Sequence, residues 1–220
     1  MVTTAASESH HDGGCACGQV RFRLEREPMF VHACHCTRCQ RETGGPFAHH
    51  AMIEFSAFTV TAGEAEFVKV PTDSGNAHWV ARCPACRTAM WNEHGARKSA
   101  VTRYVRVGTL DEPNRLPPRA HIYARSRQPW LELGAAIPSF KAYYDAAKTW
   151  PAESLARYAA AKALREAQAA AEKADRAGKV EKAARPGKAG KAAKSGKAET
   201  RTKTARAPTT AAAAPRRKKG

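Results

Sequence analysis

Apolar and polar positions alternate through the first half of the chain. Val20, Phe22 and Leu24 interleave with Arg21, Arg23 and Glu25, the period-two signature of a strand with one buried face. Further strands are predicted over 29–33, 48–55, 58–61, 66–70, 77–82, 88–92, 100–107 and 120–124. Turn residues separate many of them: Thr43-Gly44-Gly45-Pro46, Ala62-Gly63-Glu64, the run from Pro71 to Asn76, and Asp111-Glu112-Pro113-Asn114. Many short strands, with no long helical period before residue 139, argue for a mainly β domain of antiparallel strands. The pattern changes over 151–184, where Leu155, Tyr158 and Leu164 stand among alanines and predict a helix with a thin apolar face. From Arg185 onward Lys, Ala, Gly, Pro and Thr recur without aromatic or branched apolar residues. Such a segment buries too little to offset the entropy of ordering it, so 185–220 is expected to be a disordered Lys/Ala-rich basic tail. The expected organisation is a flexible N-terminus (1–12), a β domain (13–148), a helical extension (149–184) and the tail.

Charge sharpens that division. The chain of 220 residues has 37 Lys+Arg and 20 Asp+Glu, and its last seventy residues hold 19 of the basic and only 6 of the acidic side chains, net +13. Roughly 130–140 residues are left to build a core, which suits one domain. No run of about 18 apolar residues exists to span a membrane. The first residues carry Glu8, His10, His11 and Asp12 where a signal peptide needs a basic start and an apolar stretch, so a cytoplasmic location is expected. The last seventy residues open one class of function: a net +13 binds polyanions by counterion release, and with no aromatic residue after Tyr158 they would not stack on bases. On that alternative the chain is a non-catalytic, zinc-stabilised module that binds nucleic acid through 185–220.

All seven cysteines fall between residues 15 and 86, as Cys15-Ala-Cys17, Cys34-His-Cys36-Thr-Arg-Cys39 and Cys83-Pro-Ala-Cys86. An odd number of clustered thiols in a chain expected to stay reduced reads as metal ligands before disulfides. The division that fits is four plus three. In an extended strand Cys15 and Cys17 would face the same way, and Cys83 and Cys86 converge from a tight turn, so the two pairs can share one structural zinc. Cys34, Cys36 and Cys39 fuse both spacings and leave a fourth position for water or a substrate thiol. A second structural zinc completed by histidine, or an iron–sulfur cluster, are the alternatives there.

Taken together, Gly13-Gly14-Cys15-x-Cys17-Gly18-x-Val20-Arg21-Phe22, Cys34-His35-Cys36-x-x-Cys39-Gln40, Cys83-Pro84-x-Cys86 and Val107-Gly108-Thr109-Leu110-Asp111 resemble the glutathione-dependent formaldehyde-activating enzyme (GFA) family, which includes centromere protein V. The resemblance covers roughly residues 13–145. It implies a β-tent fold with two zincs per chain: a structural one on Cys15, Cys17, Cys83 and Cys86, and a catalytic-type one on Cys34, Cys36 and Cys39. It further implies joining glutathione to formaldehyde to give S-hydroxymethylglutathione, a carbon–sulfur lyase reaction run in reverse. Arg87 stands where the family usually has Gly, at a turn that often needs positive φ.

Zinc held by three thiolates carries a formal net charge of −1, so it suits binding and delivering a thiolate better than generating hydroxide. Glutathione has two carboxylates, for which Arg38 and Arg41 beside the open cluster are candidate contacts. His49 or His50 is a candidate proton shuttle, with His49 also a candidate substrate contact, whereas His35 should point away from the metal by strand alternation. His78, His94 and His121 have no motif context. Phe55, Trp79, Trp91, Trp130 and Phe140 are assigned to packing.

Overall fold

The computed structural model describes residues 10–72, 75–97 and 100–184. Two antiparallel-rich sheets face each other. The smaller is built of β1 (His11–Gly14), β2 (Arg21–Leu24) and β5 (Phe58–Ala62), in the order β1-β2-β5. The larger has the order β10-β3-β4-β9-β8-β7-β6, from β3 (Phe30–Cys34), β4 (Ala48–Glu54), β6 (Glu66–Val70), β7 (His78–Arg82), β8 (Ala89–His94), β9 (Thr102–Arg106) and β10 (His121–Ile122). Every pairing is antiparallel except β10 on β3. Helix α1 (Thr37–Thr43) follows β3 directly; α2 (Ala146–Thr149) and α3 (Ala152–Ala184) come last.

Register explains how one sheet serves two purposes. Val31, Ala51, Val105, Trp91 and Ala81 are cross-strand partners in succession, which lays one apolar row across the large sheet. That row packs on Phe22, Leu24 and Phe58 of the small sheet, and on Val20 just before β2, to form the main core. Phe22, Phe58 and Trp91 meet with ring centroids 4.8–5.7 Å apart. Each such ring contributes about 1.5–3 kcal/mol by leaving water. One residue further along each strand the side chains must face the other way. There the partners are His32, His50 and Arg106, and beside them Phe30, Met52, Tyr104 and Asn92. The apolar part of this second face, with Met29, Ile122, Tyr144 and Trp150, forms a second core under the C-terminal segment.

α3 docks by its first turns. Ser154 Oγ donates to the Met29 carbonyl at 2.6 Å, and Arg157 grips Glu54 with two bonds of 2.6 and 2.7 Å. The Arg165 guanidinium lies 3.6 Å from the Phe55 ring centroid. Residues 166–176 are exposed. Among the described residues no helix is long and apolar enough to cross a membrane.

The chain differs from the sequence expectations in three places. β1 begins at His11, inside the segment expected to be flexible, because Gly13 packs where no side chain fits: a Cβ would stand 2.6 Å from the Thr109 carbonyl oxygen and 2.7 Å from the Phe22 ring. α1 was not expected, since seven residues are too few to show a helical period. Trp130 is 69% exposed rather than packed. The tail 185–220 and residues 1–9 lie outside the described residues.

Candidate metal centres and the adjoining cleft

Two sulfur clusters form. In the first, Cys15, Cys17, Cys83 and Cys86 bring their sulfurs within 4.8 Å of one another. Cys15 and Cys17 do not lie on a strand, contrary to expectation. A turn holds them, with the Gly18 amide on the Cys15 carbonyl at 3.0 Å and Gly18 at φ 78°, a conformation glycine adopts freely. The Val20 amide donates to Cys15 Sγ at 3.2 Å. Opposite, the Arg87 amide closes the Cys83–Cys86 turn on the Cys83 carbonyl at 3.0 Å, and Arg87 takes φ 61°. The positive φ expected at this position is therefore present, on a residue that bears a Cβ. The Ala16 amide reaches Thr88 Oγ1 at 3.3 Å and ties the two turns together. The Thr88 hydroxyl and amide push the Cys86 thiol down to about 5.

In the second cluster Cys34 ends β3, Cys36 caps α1 and Cys39 sits in its first turn. Their sulfurs also lie within 4.8 Å of one another, and no histidine or carboxylate joins either set among the described residues. The Cys39 amide donates to Cys36 Sγ at 3.3 Å. Hydrogen bonds from Cys34 and Cys39 push Cys36 down to about 2, while the same sharing with Cys36 pushes Cys34 up to about 12, and Cys39 is raised too. Three sulfurs this close cannot all ionise without a cation between them.

Both sets fit a metal ion. Tetrahedral thiolate coordination at about 2.3 Å places sulfurs about 3.8 Å apart; Cys15–Cys17 and Cys17–Cys83 are at 3.5 and 3.7 Å. The first set supplies four ligands and the second three.

α1 buries no residue of its own, so polar side chains fix it. Gln40 Nε2 donates to the carbonyls of His35 and Ser126 at 2.7 and 2.8 Å, and Gln128 Nε2 donates to Gln40 Oε1 at 2.6 Å. Glu42 forms an ion pair with Arg106 of β9, both side chains 8% exposed. Arg106 also donates to His50 Nε2 at 2.7 Å, which keeps that nitrogen unprotonated. The second centre is thus held in place from the sheet, through α1.

The polar face of the large sheet continues away from this centre. His32 Nδ1 meets the Tyr144 hydroxyl at 3.0 Å, and Tyr143 follows. Tyr123, at φ 55°, lies within electrostatic reach of all three cysteines. On the other side His78 and His94 stand edge to face with centroids 4.5 Å apart, and His94 meets Tyr104 at 4.8 Å. Burial, then the positive charge of Arg38, keeps His78 neutral, pushed down to about 4; burial, then His78, does the same to His94. Burial first, then the neighbouring His49 and His94, push His32 down to about 3.

The candidate contacts named from sequence separate. Arg38 is half-buried, and its charge acts on His78 and His94. Arg41 is exposed and lines an open depression with Gln40, Gln128 and Trp130. His49 turns to the opposite side from His50 and lines a groove of about 470 Å³ with Cys86, Arg82 and Arg87. His35 points away from the sulfurs, as expected, to His121 Nδ1 at 3.0 Å. Sequence reasoning missed Glu42, Arg106, Asn92, Tyr104, Tyr123 and Tyr143, and gave His78 and His94 no role. The readable signal was polar residues on the alternation phase opposite to the apolar row.

The chain is similar to known proteins. A model of the glutathione-dependent formaldehyde-activating enzyme family matches residues 10–126. A Halomonas elongata protein, provisionally named as such an enzyme, is 26% identical over 130 residues, covering 56% of this chain and 80% of its own. A crystal structure of a Rhodobacter sphaeroides protein aligns with a TM-score of 0.33 at 21% identity, over 46% of this chain and 87% of its own.

Proposed function

Because the chain belongs to the glutathione-dependent formaldehyde-activating enzyme family, we propose that it is a zinc-dependent carbon–sulfur lyase-type enzyme acting on the thiol adduct of a small aldehyde, S-hydroxymethylglutathione being the reference case. The observation that carries this reading is the convergence of Cys34, Cys36 and Cys39 alone on one point, with no fourth protein ligand among the described residues. Cys15, Cys17, Cys83 and Cys86 would hold a structural zinc, and Cys34, Cys36 and Cys39 a second. Zinc at the second centre would supply an open position at which a substrate thiol gives up its proton near neutral pH. In the overall addition the thiol sulfur forms a bond to the carbonyl carbon, the C=O π pair moves to oxygen, and oxygen takes up the proton; no oxidant is needed.

The chain's own residues do the positioning. Arg106 and Glu42 hold α1, and with it Cys36 and Cys39, against the sheet. Neutral imidazoles on the sheet floor offer hydrogen bonds without fixing a charge beside the sulfurs. Arg38 supports a contact to one substrate carboxylate; Arg41 and His49 lie further out and are weaker candidates for the same role. The test is zinc content of wild type and Cys36→Ser, each with and without excess glutathione, together with formaldehyde–glutathione exchange followed by NMR. Two zincs and accelerated exchange in the wild type, against one zinc and the uncatalysed rate in a folded Cys36→Ser, are expected. Uncatalysed exchange in a two-zinc wild type would overturn the reading.

A second reading concerns the tail. Its net charge of +11, from 12 basic residues and one acidic, favours salt-sensitive binding of nucleic acid through 185–220. Truncation after residue 184 would then abolish binding of a random duplex; binding that survives truncation would refute it.

A further inference from the structure

The four-cysteine centre presents its sulfurs unequally. Cys15 and Cys83 are buried, at 6% and 0% exposed, whereas Cys17 and Cys86 are exposed. Each turn contributes one of each kind. Cys15 and Cys17 stand in the connection from β1 to β2, and Cys83 and Cys86 in the connection from β7 to β8. The exposed pair therefore spans the small sheet and the large one, with its sulfurs inside the 4.8 Å that encloses the whole set. Cys86 also lines the groove of about 470 Å³ with Arg82, Arg87 and His49, so a small solute reaches it from the surface. Thr88 Oγ1 stands 3.1 Å from Cys86 Sγ and accepts from the Ala16 amide at 3.3 Å, so one hydroxyl anchors this sulfur and the opposite turn together.

Sulfur oxidation is governed by thiolate character, access, and a second sulfur in reach to resolve the first product. A bound metal keeps its coordinating sulfurs deprotonated, which supplies the first. The groove supplies the second and Cys17 the third. The three-cysteine centre is more enclosed: Cys34 is 5% exposed, and Cys36 and Cys39 are half-buried.

We propose that the four-cysteine centre is a peroxide-oxidation site in which Cys86 reacts first and Cys17 resolves it, so that a disulfide between the two turns replaces the metal as their clasp. The Cys86 thiolate attacks one oxygen of hydrogen peroxide, the O–O bond breaks, and the departing hydroxide takes a proton to become water. Cys17 Sγ then attacks the sulfenic sulfur of Cys86 and expels hydroxide, which takes a second proton. Two thiolates lose two electrons to one peroxide, two protons are consumed and two waters form. With two of its four ligands gone, the metal is released. The disulfide joins the same two turns, so release does not require unfolding. This rests on the structural-zinc reading of the four cysteines and not on the thiol-adduct activity.

Full-length, zinc-loaded protein is treated with an equimolar amount of hydrogen peroxide at neutral pH. Zinc release is followed with a chromogenic chelator, and the cysteines are mapped by alkylation and mass spectrometry. Zinc should leave together with formation of a Cys17–Cys86 disulfide, with the far-UV spectrum retained and Cys34, Cys36 and Cys39 alkylated as in untreated protein. A phosphine reductant with added zinc should restore the starting state. Cys86→His keeps a fourth zinc ligand but removes the groove sulfur, and should release zinc roughly tenfold more slowly. No release from the wild type, or a disulfide confined to one turn or to the three-cysteine set, would overturn the proposal whether or not Cys86→His folds. Four cysteines that alkylate freely before treatment would remove the structural-zinc reading. A Cys17–Cys86 disulfide formed by peroxide would even then retain the oxidation site, and its absence would remove both.

Discussion

Removing Arg106 probes how the second cysteine centre is held. Its guanidinium and the Glu42 carboxylate are each only 8% exposed, and the same guanidinium donates to His50 Nε2. Arg106→Met keeps the stem in the sheet but leaves Glu42 buried with a charge and no partner, which costs about 3–5 kcal/mol. For a domain of this size that corresponds to a fall in Tm of roughly 8–16 °C. Glu42→Gln alone is expected to cost less, because the amide still accepts from Arg106. The double variant should be more stable than Arg106→Met, since the unpaired charge is gone; a coupling of about 1–3 kcal/mol is expected. Urea denaturation of the four proteins gives the cycle, and elemental analysis gives the metal content. Arg106→Met should lose metal from the three-cysteine set first, because α1 has no apolar face to hold it. Full metal content with less than about 1 kcal/mol of destabilisation would refute the argument that this pair fixes α1.

Three further outcomes follow from local geometry. Arg87→Gly should stabilise the protein by roughly 0.5–1 kcal/mol, because a left-handed backbone costs a Cβ-bearing residue about 1–2 kcal/mol and the exposed pair it forms with Glu66 contributes little; a lower urea midpoint would contradict this. Gly13→Ala should destabilise by about 1–3 kcal/mol, since its Cβ collides with the Thr109 carbonyl and the Phe22 ring, and an unchanged Tm would refute the packing argument. Stability should fall with acid in two stages. His49, His78 and His94 are held neutral at about 4 against an ordinary 6.5. The unfolded chain therefore takes up protons first, and stability complete above pH 6.5 declines towards pH 4. Burial opposes Glu54 ionisation but Arg157 outweighs it, so this carboxylate adds a loss beginning below its ordinary 4.5. A urea midpoint that does not change between pH 7.5 and 5 would refute the assignment of neutral buried imidazoles.

Strand positions were legible where alternation was strong: Arg21–Leu24, Glu66–Val70 and His78–Arg82 need only a period of two. The cysteine grouping was legible as well, because spacing restricts which sulfurs can converge. What escaped was local structure set by tertiary contact. β1 contains Gly13 and Gly14, poor strand formers placed there by close approach to Thr109 and Val20. α1 is shorter than two turns, and only its ends carried a signal: Cys36 as a cap and Gly44 at φ 69°. The polar face was hardest to see. His32, His50, His78 and His94 lie far apart in sequence, and only the register of β3, β4, β9, β8 and β7 places them on one surface. Isolated histidines on strands have no spacing rule to announce them.

Helix α3 runs for 33 residues, about 50 Å at 1.5 Å per residue. Its contacts with the domain include Ser154, Leu155, Arg157, Tyr158, Ala161 and Arg165, all within the first half. The outer half works as a stand-off rod: its alanines favour helix intrinsically, so its rigidity does not depend on the domain beneath it. A binding event at the far end and a reaction at the cleft would be held apart by a fixed lever arm. Each would then experience a low effective concentration of the other.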